Sequence, residues 1–397
     1  MEYKTIKELC DLVVDCPHST PTWTEHGKIV IRNNNIKNGR IDFTSPSFTD
    51  DEHFAQRIKR AVPKAGDIVI TREAPMGEVG MIPEGIKCCL GQRMVLLRAN
   101  ERICDKHYLL YGLQSQFVQH QISWSEGTGT TVSNLRIPHL EQIRVPYVPL
   151  DQQKKISSVL YALGDKIENN RKLNDNLEQQ AVALFKSWFI DFSLFGGTVP
   201  ENWEDTTLEN ITTLITRGIA PKYSDNSDQT VVNQKCIRNH TIDLSLARTH
   251  TPKAINEKWL KFGDLLINST GDGTLGRVAQ VWFAPKALTV DSHVTIVRPA
   301  REELIFYIGL WGILHEKEIE SLHTGSTGQT ELPRDRVKML KLLLPDDSSL
   351  SRFNSIIAPM TSTIISNQEE NQKLANLRDT LLPKLMSGVI DVANVQL

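Results

Sequence analysis

The residues best suited to chemistry in this chain are those that match the hydrogen-bonding edges of base pairs: Arg, Lys, Asn and Gln gathered in short loops. The first half offers Arg32, Asn33, Asn34, Asn35 and Lys37, then Arg72, then Gln92 and Arg93. The second half offers Asn233, Gln234 and Lys235, then Arg238 and Asn239, then Ser269 and Thr270, then Arg277 and His293. Two further loops, one holding Thr128 and Thr130 and the other Ser326, Thr327 and Gln329, are rich in Gly, Ser and Thr. Backbone N–H groups in such loops can hold phosphates. The loops fall at matching places in the two halves but differ in residue type. A shared scaffold with different loops is what reading two different DNA half-sites requires.

Other chemistries lack their residues. There is no phosphate-cradling GxxxxGK[ST], no HExxH, no NPPY or DPPY element of an amino-methyltransferase, and no carboxylate pair with lysine that suggests a metal-dependent nuclease. The segment from Gly271 to Gly276 spells GxGxxG after a strand, but residues 277–283 favour another strand. A dinucleotide or S-adenosylmethionine site needs a helix there, so a hairpin turn is expected. His18, His240, His250 and His293 each read, taken alone, as ordinary hydrogen-bonding histidines. Cys10, Cys16, Cys88, Cys89, Cys104 and Cys236 form no CxxC pair and no zinc-finger spacing, which predicts reduced, buried thiols and no metal.

The formal net charge is −2. Residues 1–150 carry 18 basic and 17 acidic side chains, and residues 196–346 carry 17 and 19. A free-standing DNA binder usually presents a basic field. Either the chain is not a DNA binder, or its basic residues are clustered, or a partner supplies much of the phosphate contact. The 397 residues suit two or three domains at about 100–200 residues each. No apolar run approaches the ~18 residues of a membrane span, and the first residues lack a signal-peptide core. A cytoplasmic protein is expected.

The elements that would position these loops are written twice. AGDIVI at 65–70 returns as FGDLLI at 262–267, a shift of 197 residues, and IKNGRIDF at 36–43 returns as IRNHTIDL at 237–244. Ile156, Leu160, Leu163, Ile167, Asn170, Asn174, Leu177, Ala181, Leu184 and Trp188 step by fours and threes, a coiled-coil seam. Adding 197 gives Phe353, Ile357, Met360, Ile364, Asn367, Asn371, Leu374, Arg378, Leu381 and Leu385, and only Arg378 departs in type. The seams should pack as an antiparallel pair, with Asn170 and Asn174 meeting Asn367 and Asn371 to fix register. Two helices packed separately on their own domains are the alternative. Pro359 would fit the first turn of the second helix, whereas Pro383 should kink its last turns. Strands at 29–31, 67–71, 93–97 and 145–148, with a helix at 106–123, predict an α+β domain. Strands at 264–268, 278–283 and 294–298 and a helix at 302–323 repeat it. The expected order is a globular domain at 1–150, a long helix at 151–195, a second globular domain at 196–346 and a second long helix at 347–397. A helix of 35–40 residues spans about 55–60 Å.

Over almost its whole length the chain resembles the specificity subunits of type I restriction-modification enzymes. The resemblance rests on DCPHSTP at 15–21, IRNNNI at 31–36, the segments closing at Pro149 and Pro345, DQQKKI at 151–156, and the helix ends LFKSWFIDF at 184–192 and LLPKLMSGVI at 381–390. One departure is Asp346-Asp-Ser-Ser-Leu350, which replaces a glutamine-bearing helix start. The resemblance implies two target recognition domains that read a split, asymmetric site, joined by two long antiparallel coiled-coil helices around a pseudo-two-fold repeat. It implies double-stranded DNA, two methyltransferase subunits and restriction subunits as partners. Those partners would use S-adenosylmethionine, ATP and Mg, and this chain would bind no cofactor and catalyse nothing. The rival readings are a duplicated protein-binding scaffold and a stand-alone DNA-modifying enzyme.

Overall fold

The computed structural model describes residues 2–37, 39–124, 134–271, 273–325 and 330–392. The chain divides into two compact units, residues 1–168 with 371–397, and residues 169–370.

In the first unit a four-stranded antiparallel sheet runs in the order Cys10–Asp15, Met94–Ala99, Ile68–Thr71, Val79–Met81. Side chains alternate across a strand. Ile68 and Ile70 therefore enter one core with Val95, Leu97, Leu109 and Leu113, while Val69 enters another with Met94, Leu96 and Ile31. A three-stranded sheet places Lys28–Ile31 between Ser47–Thr49, antiparallel, and Cys88–Leu90, parallel. Ile36–Lys37 and Arg40–Ile41 form a hairpin, and Glu2–Thr5 pairs with Arg144–Tyr147.

The second unit repeats this strand for strand. Its large sheet runs Thr212–Arg217, Val294–Pro299, Leu265–Asn268, Val278–Gln280. Its small sheet has Thr230–Val232 between Arg248–Thr249 and Leu288–Val290. Ile237–Arg238 pairs with Thr241–Ile242, and Glu204–Thr207 with Lys341–Leu344. The GxGxxG segment joins the antiparallel strands Leu265–Asn268 and Val278–Gln280, so it is the expected hairpin.

The single helices expected at 106–123 and 302–323 are broken. Ser115 is extended, caps the helix Gln116–Ser123 and ends Lys106–Gln114. In the second unit the break falls at His315, between Ile305–Leu314 and Glu316–Ser321.

Leu150–Phe189 and Asp347–Met386 are long helices of 40 residues each. Within the first unit Ile156 and Leu160 pack with Leu385, Met386 and Tyr108. Within the second, Ala181, Phe185 and Trp188 pack with Leu350, Phe353 and Ile357. Both sets pair the start of one helix with the end of the other, the antiparallel arrangement. In the polar seam Asn367 donates to Asn174 Oδ1 at 2.8 Å, as expected, and Asn170 donates to Glu370 Oε2 at 2.6 Å. Asn170 is only 3% exposed, so its amide meets a carboxylate in a nearly dry seam.

One proline corrects the reading: Pro359 lies well inside the second helix rather than in its first turn, and the helix runs on past Pro383 to Met386. Both are exposed, so the carbonyls that lose an N–H partner face water, where the cost is least. At the helix starts, different residues do one job. Gln153 accepts from the Asp105 N–H at 2.9 Å and donates to the Val148 carbonyl at 2.8 Å. In the second helix Asp346 accepts from the Ser349 N–H at 3.0 Å, the Ser349 hydroxyl at 2.7 Å and the Trp203 indole at 2.8 Å. Burial opposes the charge of Asp346, but these donors outweigh it and hold the carboxyl at about 2.

Candidate nucleic-acid interface

In the first unit, the strand Lys28–Ile31 runs into a tight turn at Asn33–Asn35. Asn35 is 8% exposed and its Oδ1 accepts from the Arg32 N–H at 2.9 Å, so it holds the turn closed. Arg32, Asn34 and Lys37 are exposed. Asn33 donates to the Glu73 carbonyl at 2.5 Å, which ties this turn to the hairpin at 72–77. The Glu73 carboxylate in turn meets Arg93 Nε at 3.1 Å and Asn134 Nδ2 at 2.7 Å. Gln92 donates to the His18 carbonyl at 2.8 Å and to Thr20 Oγ1 at 3.0 Å. The predicted residues 32–37, 72 and 92–93 therefore come together at one end of the sheets.

The second unit brings its own set together. Asn233 accepts from the Lys235 N–H at 2.9 Å, and Gln234 accepts from Thr270 Oγ1 at 3.0 Å. Thr270 also meets His293 Nδ1 at 2.8 Å. Lys235, Asn239 and His293 are exposed. Arg238 donates to the carbonyls of Gln234 at 3.0 Å and Ile237 at 2.7 Å, bracing its own turn. Arg277 lines a polar cleft with Asp175, Glu178, Asn239, His240 and Glu316. Thr128, Thr130, Ser326, Thr327 and Gln329 lie outside the described residues.

Arg72, Asn35 and Ser269 differ from their expected role, because the fold itself engages their polar atoms. Arg72 is 9% exposed. It donates to the Leu135 carbonyl at 2.9 Å, to both Asp15 oxygens at 2.9 Å and to Asn134 at 3.0 Å. Ser269 is fully buried and bonds the Thr295 hydroxyl at 2.6 Å. Sheet register makes Asp15 the counterpart of Arg217, since they face Val95 and Thr295 in the equivalent strands. Arg217 donates to the Leu332 carbonyl at 2.7 Å and pairs with Glu331. Both units thus clamp the same returning peptide with an arginine, but the arginine comes from the hairpin in one and from the strand in the other. Asp15 and Arg217 escaped sequence reasoning. Their signal was the shift of 197 that sets Arg72 against Ser269, a buried cation without its copy.

The hairpin at 239–240 shows how this end of the second unit is held. Asn239 and His240 both have positive φ, 47° and 57°, as a two-residue hairpin turn of this hand requires. The His240 ring bonds Glu178 on the long helix, and its other nitrogen lies 3.8 Å from Glu316. Burial opposes the imidazolium, yet the hydrogen bonds and charges of Glu178 and Glu316 win and raise it to about 9. An unfolded histidine titrates near ~6.5, so the clamp's contribution is complete below that pH and is lost as pH rises through the folded value. The melting temperature should therefore fall more steeply above neutral pH in the unmodified chain than in Glu178→Gln. Equal falls would show that the clamp contributes nothing.

No group of three His, Cys, Asp or Glu among the described residues could hold a metal ion. The six cysteines are free, and burial pushes the Cys10 and Cys88 thiols up to about 12. No described helix is long and apolar enough to cross a membrane.

Residues 1–179 match the family model described as "Type I restriction modification DNA specificity domain". The chain is 27% identical to the type I restriction enzyme MjaIX specificity subunit of Methanocaldococcus jannaschii, over 84% of this chain and 79% of that relative. Over most of its length the chain is thus similar to type I restriction specificity subunits. A second relative, the HindI specificity subunit of Haemophilus influenzae, is 21% identical over 84% of this chain and 88% of its own. The crystal structure of the S subunit from M. genitalium shares the fold, with a TM-score of 0.57 at 18% identity over 97% of this chain and 95% of that one.

Proposed function

We infer that this chain is the DNA sequence-specificity subunit of a type I restriction-modification complex, reading a bipartite, asymmetric site through its two α+β units. The observation that carries this reading is the repetition of one strand order in both units with different polar residues on the matching loops. Each unit reads one half-site, and the long helices act as the ruler for the unread spacer. The chain is non-catalytic. Two methyltransferase subunits dock on it, transfer a methyl group to adenine from S-adenosylmethionine and supply the phosphate contacts that its balanced charge lacks. Restriction subunits join for ATP- and Mg-dependent cleavage, in the cytoplasm.

The test is a map of adenine methylation in a host with its modification subunit, with and without this gene. A split, asymmetric methylated motif should vanish on deletion. A motif that persists unchanged would overturn the reading and favour a protein-binding scaffold.

A further inference from the structure

Trp23 and Tyr223 occupy the same place in the two units. The residue after each donates its N–H to the edge strand of the small sheet: Thr24 to Phe48 at 3.1 Å and Ser224 to Thr249 at 3.2 Å. Both rings are large, apolar and out in solvent, 45% and 40% exposed. An arginine lies over each. The Arg32 guanidinium carbon is 5.2 Å from the centre of the Trp23 ring, and that of Arg248 is 3.6 Å from the centre of the Tyr223 ring.

The two arginines are not copies of one another. Arg32 follows the central strand, and its counterpart in the second unit is Asn233. Arg248 sits on the edge strand opposite Val231, where the first unit has Ser47 opposite Val30. Arg32 reaches across to that very position, with its NH1 3.5 Å from Ser47 Oγ. A guanidinium therefore reaches one spot in space from two different strands. Ancestry of the repeat explains the shared aromatic site but not the independently supplied cation. No core is filled by either pair, and holding a long side chain still on an exposed ring costs conformational freedom.

We propose that each pair is a DNA-contact site, in which the ring holds the guanidinium flat so that its outer N–H groups meet a pair of acceptors on the DNA. The proposal rests on the sequence-specificity reading above. Two acceptor sources share this chemistry, the O6 and N7 edge of guanine and a backbone phosphate. The turn that follows Arg32 is the one bearing Asn33 and Asn34, so the site adjoins the candidate reading loop.

The experiment uses the complex of this chain with its modification subunit, on duplexes carrying the methylated motif. Arg248→Ala and Tyr223→Leu should leave the unfolding midpoint in place, because both residues are exposed. With a guanine edge as acceptor, Arg248→Ala lowers affinity for the cognate duplex by about tenfold to a hundredfold. It also becomes indifferent to one base pair in a single half-site, and 7-deazaguanine there weakens binding by the unmodified complex. Arg32→Ala does the same in the other half-site. With a phosphate as acceptor, binding weakens evenly across sequences and the salt slope falls by about 1. Either result supports the site. If the unmodified complex reads both half-sites while Arg248→Ala and Tyr223→Leu match it in affinity, discrimination and salt slope, the proposal is overturned alone. If the unmodified complex reads no bipartite site, the parent reading fails and the proposal falls with it.

Discussion

Phe353→Ala is expected to remove about 3–5 kcal/mol from the second unit, the usual range for emptying a core phenylalanine site. Phe353 is fully buried, with its ring centre 4.8 Å from Phe189, 5.6 Å from Trp188 and 6.1 Å from Phe185. These rings join the two long helices to the globular part through Tyr307, which lies 5.3 Å from Phe185. A helix is too rigid to slide into the space an alanine leaves, so the cavity stays open. The tryptophans at 188, 203, 259, 282 and 311 make urea unfolding by fluorescence report chiefly on this unit. A loss below about 1 kcal/mol, a volume-conserving scale of change, would show that the helix is not seated on this cluster.

Exchange of residues 1–150 for the matching segment of another family member should respecify one half of the methylated motif completely. A correct half-site against a wrong one is typically worth at least about a thousandfold in binding, so the motif should switch rather than blur. The other half should stay as it was, and a change in both halves would sink the modular picture. The geometry also says what a working exchange must keep. Tyr108 and Tyr111 have to meet Ile156, Leu160, Leu385 and Met386. The hairpin arginine, Arg40, has to reach Glu168 at 2.6 Å and the Gly164 carbonyl. A Cβ at position 164 would meet the Arg40 guanidinium at 3.4 Å, an ordinary contact, so the arginine lies directly over this turn of the helix. A donor domain with a bulkier hairpin residue should assemble poorly even if its reading loops are sound.

The parts of this fold that could be read from sequence are those fixed by periodicity. The seam from Ile156 to Trp188 and its copy declare two helices, because a 3.5-residue apolar step has no other use. Glycine-bounded apolar runs likewise mark the central strands. What could not be read depends on partners distant along the chain. The bond of Asn170 to Glu370, a neighbour of the seam rather than a member of it, had no signal in the spacing. Pro359 was expected in the first helical turn, and its place in the exposed face of the helix interior is a tertiary property. Arg72 has the composition of a reading residue, and only Asp15 and Leu135 reveal that it is internal. The stacked arginines were half-visible. Arg32 stood out among asparagines, whereas Arg248 lies in a stretch with nothing else to mark it, and the rings beneath them lie nine and 25 positions upstream of Arg32 and Arg248.

The division of the chain has a consequence in time. Residues 169–370 form one unbroken stretch, while the other unit is completed by residues 371–397. A ribosome therefore releases everything the second unit needs before it releases Leu385, Met386 and Val392, which cover Tyr108 and Leu160. Until then that apolar surface stays open, in a protein whose other unit has everything it needs to fold. Any message that stops short of residue 371 would yield an intact second reader attached to an unfinished first one. Such a product would be prone to chaperone capture rather than assembly, and quality control would act on that half alone.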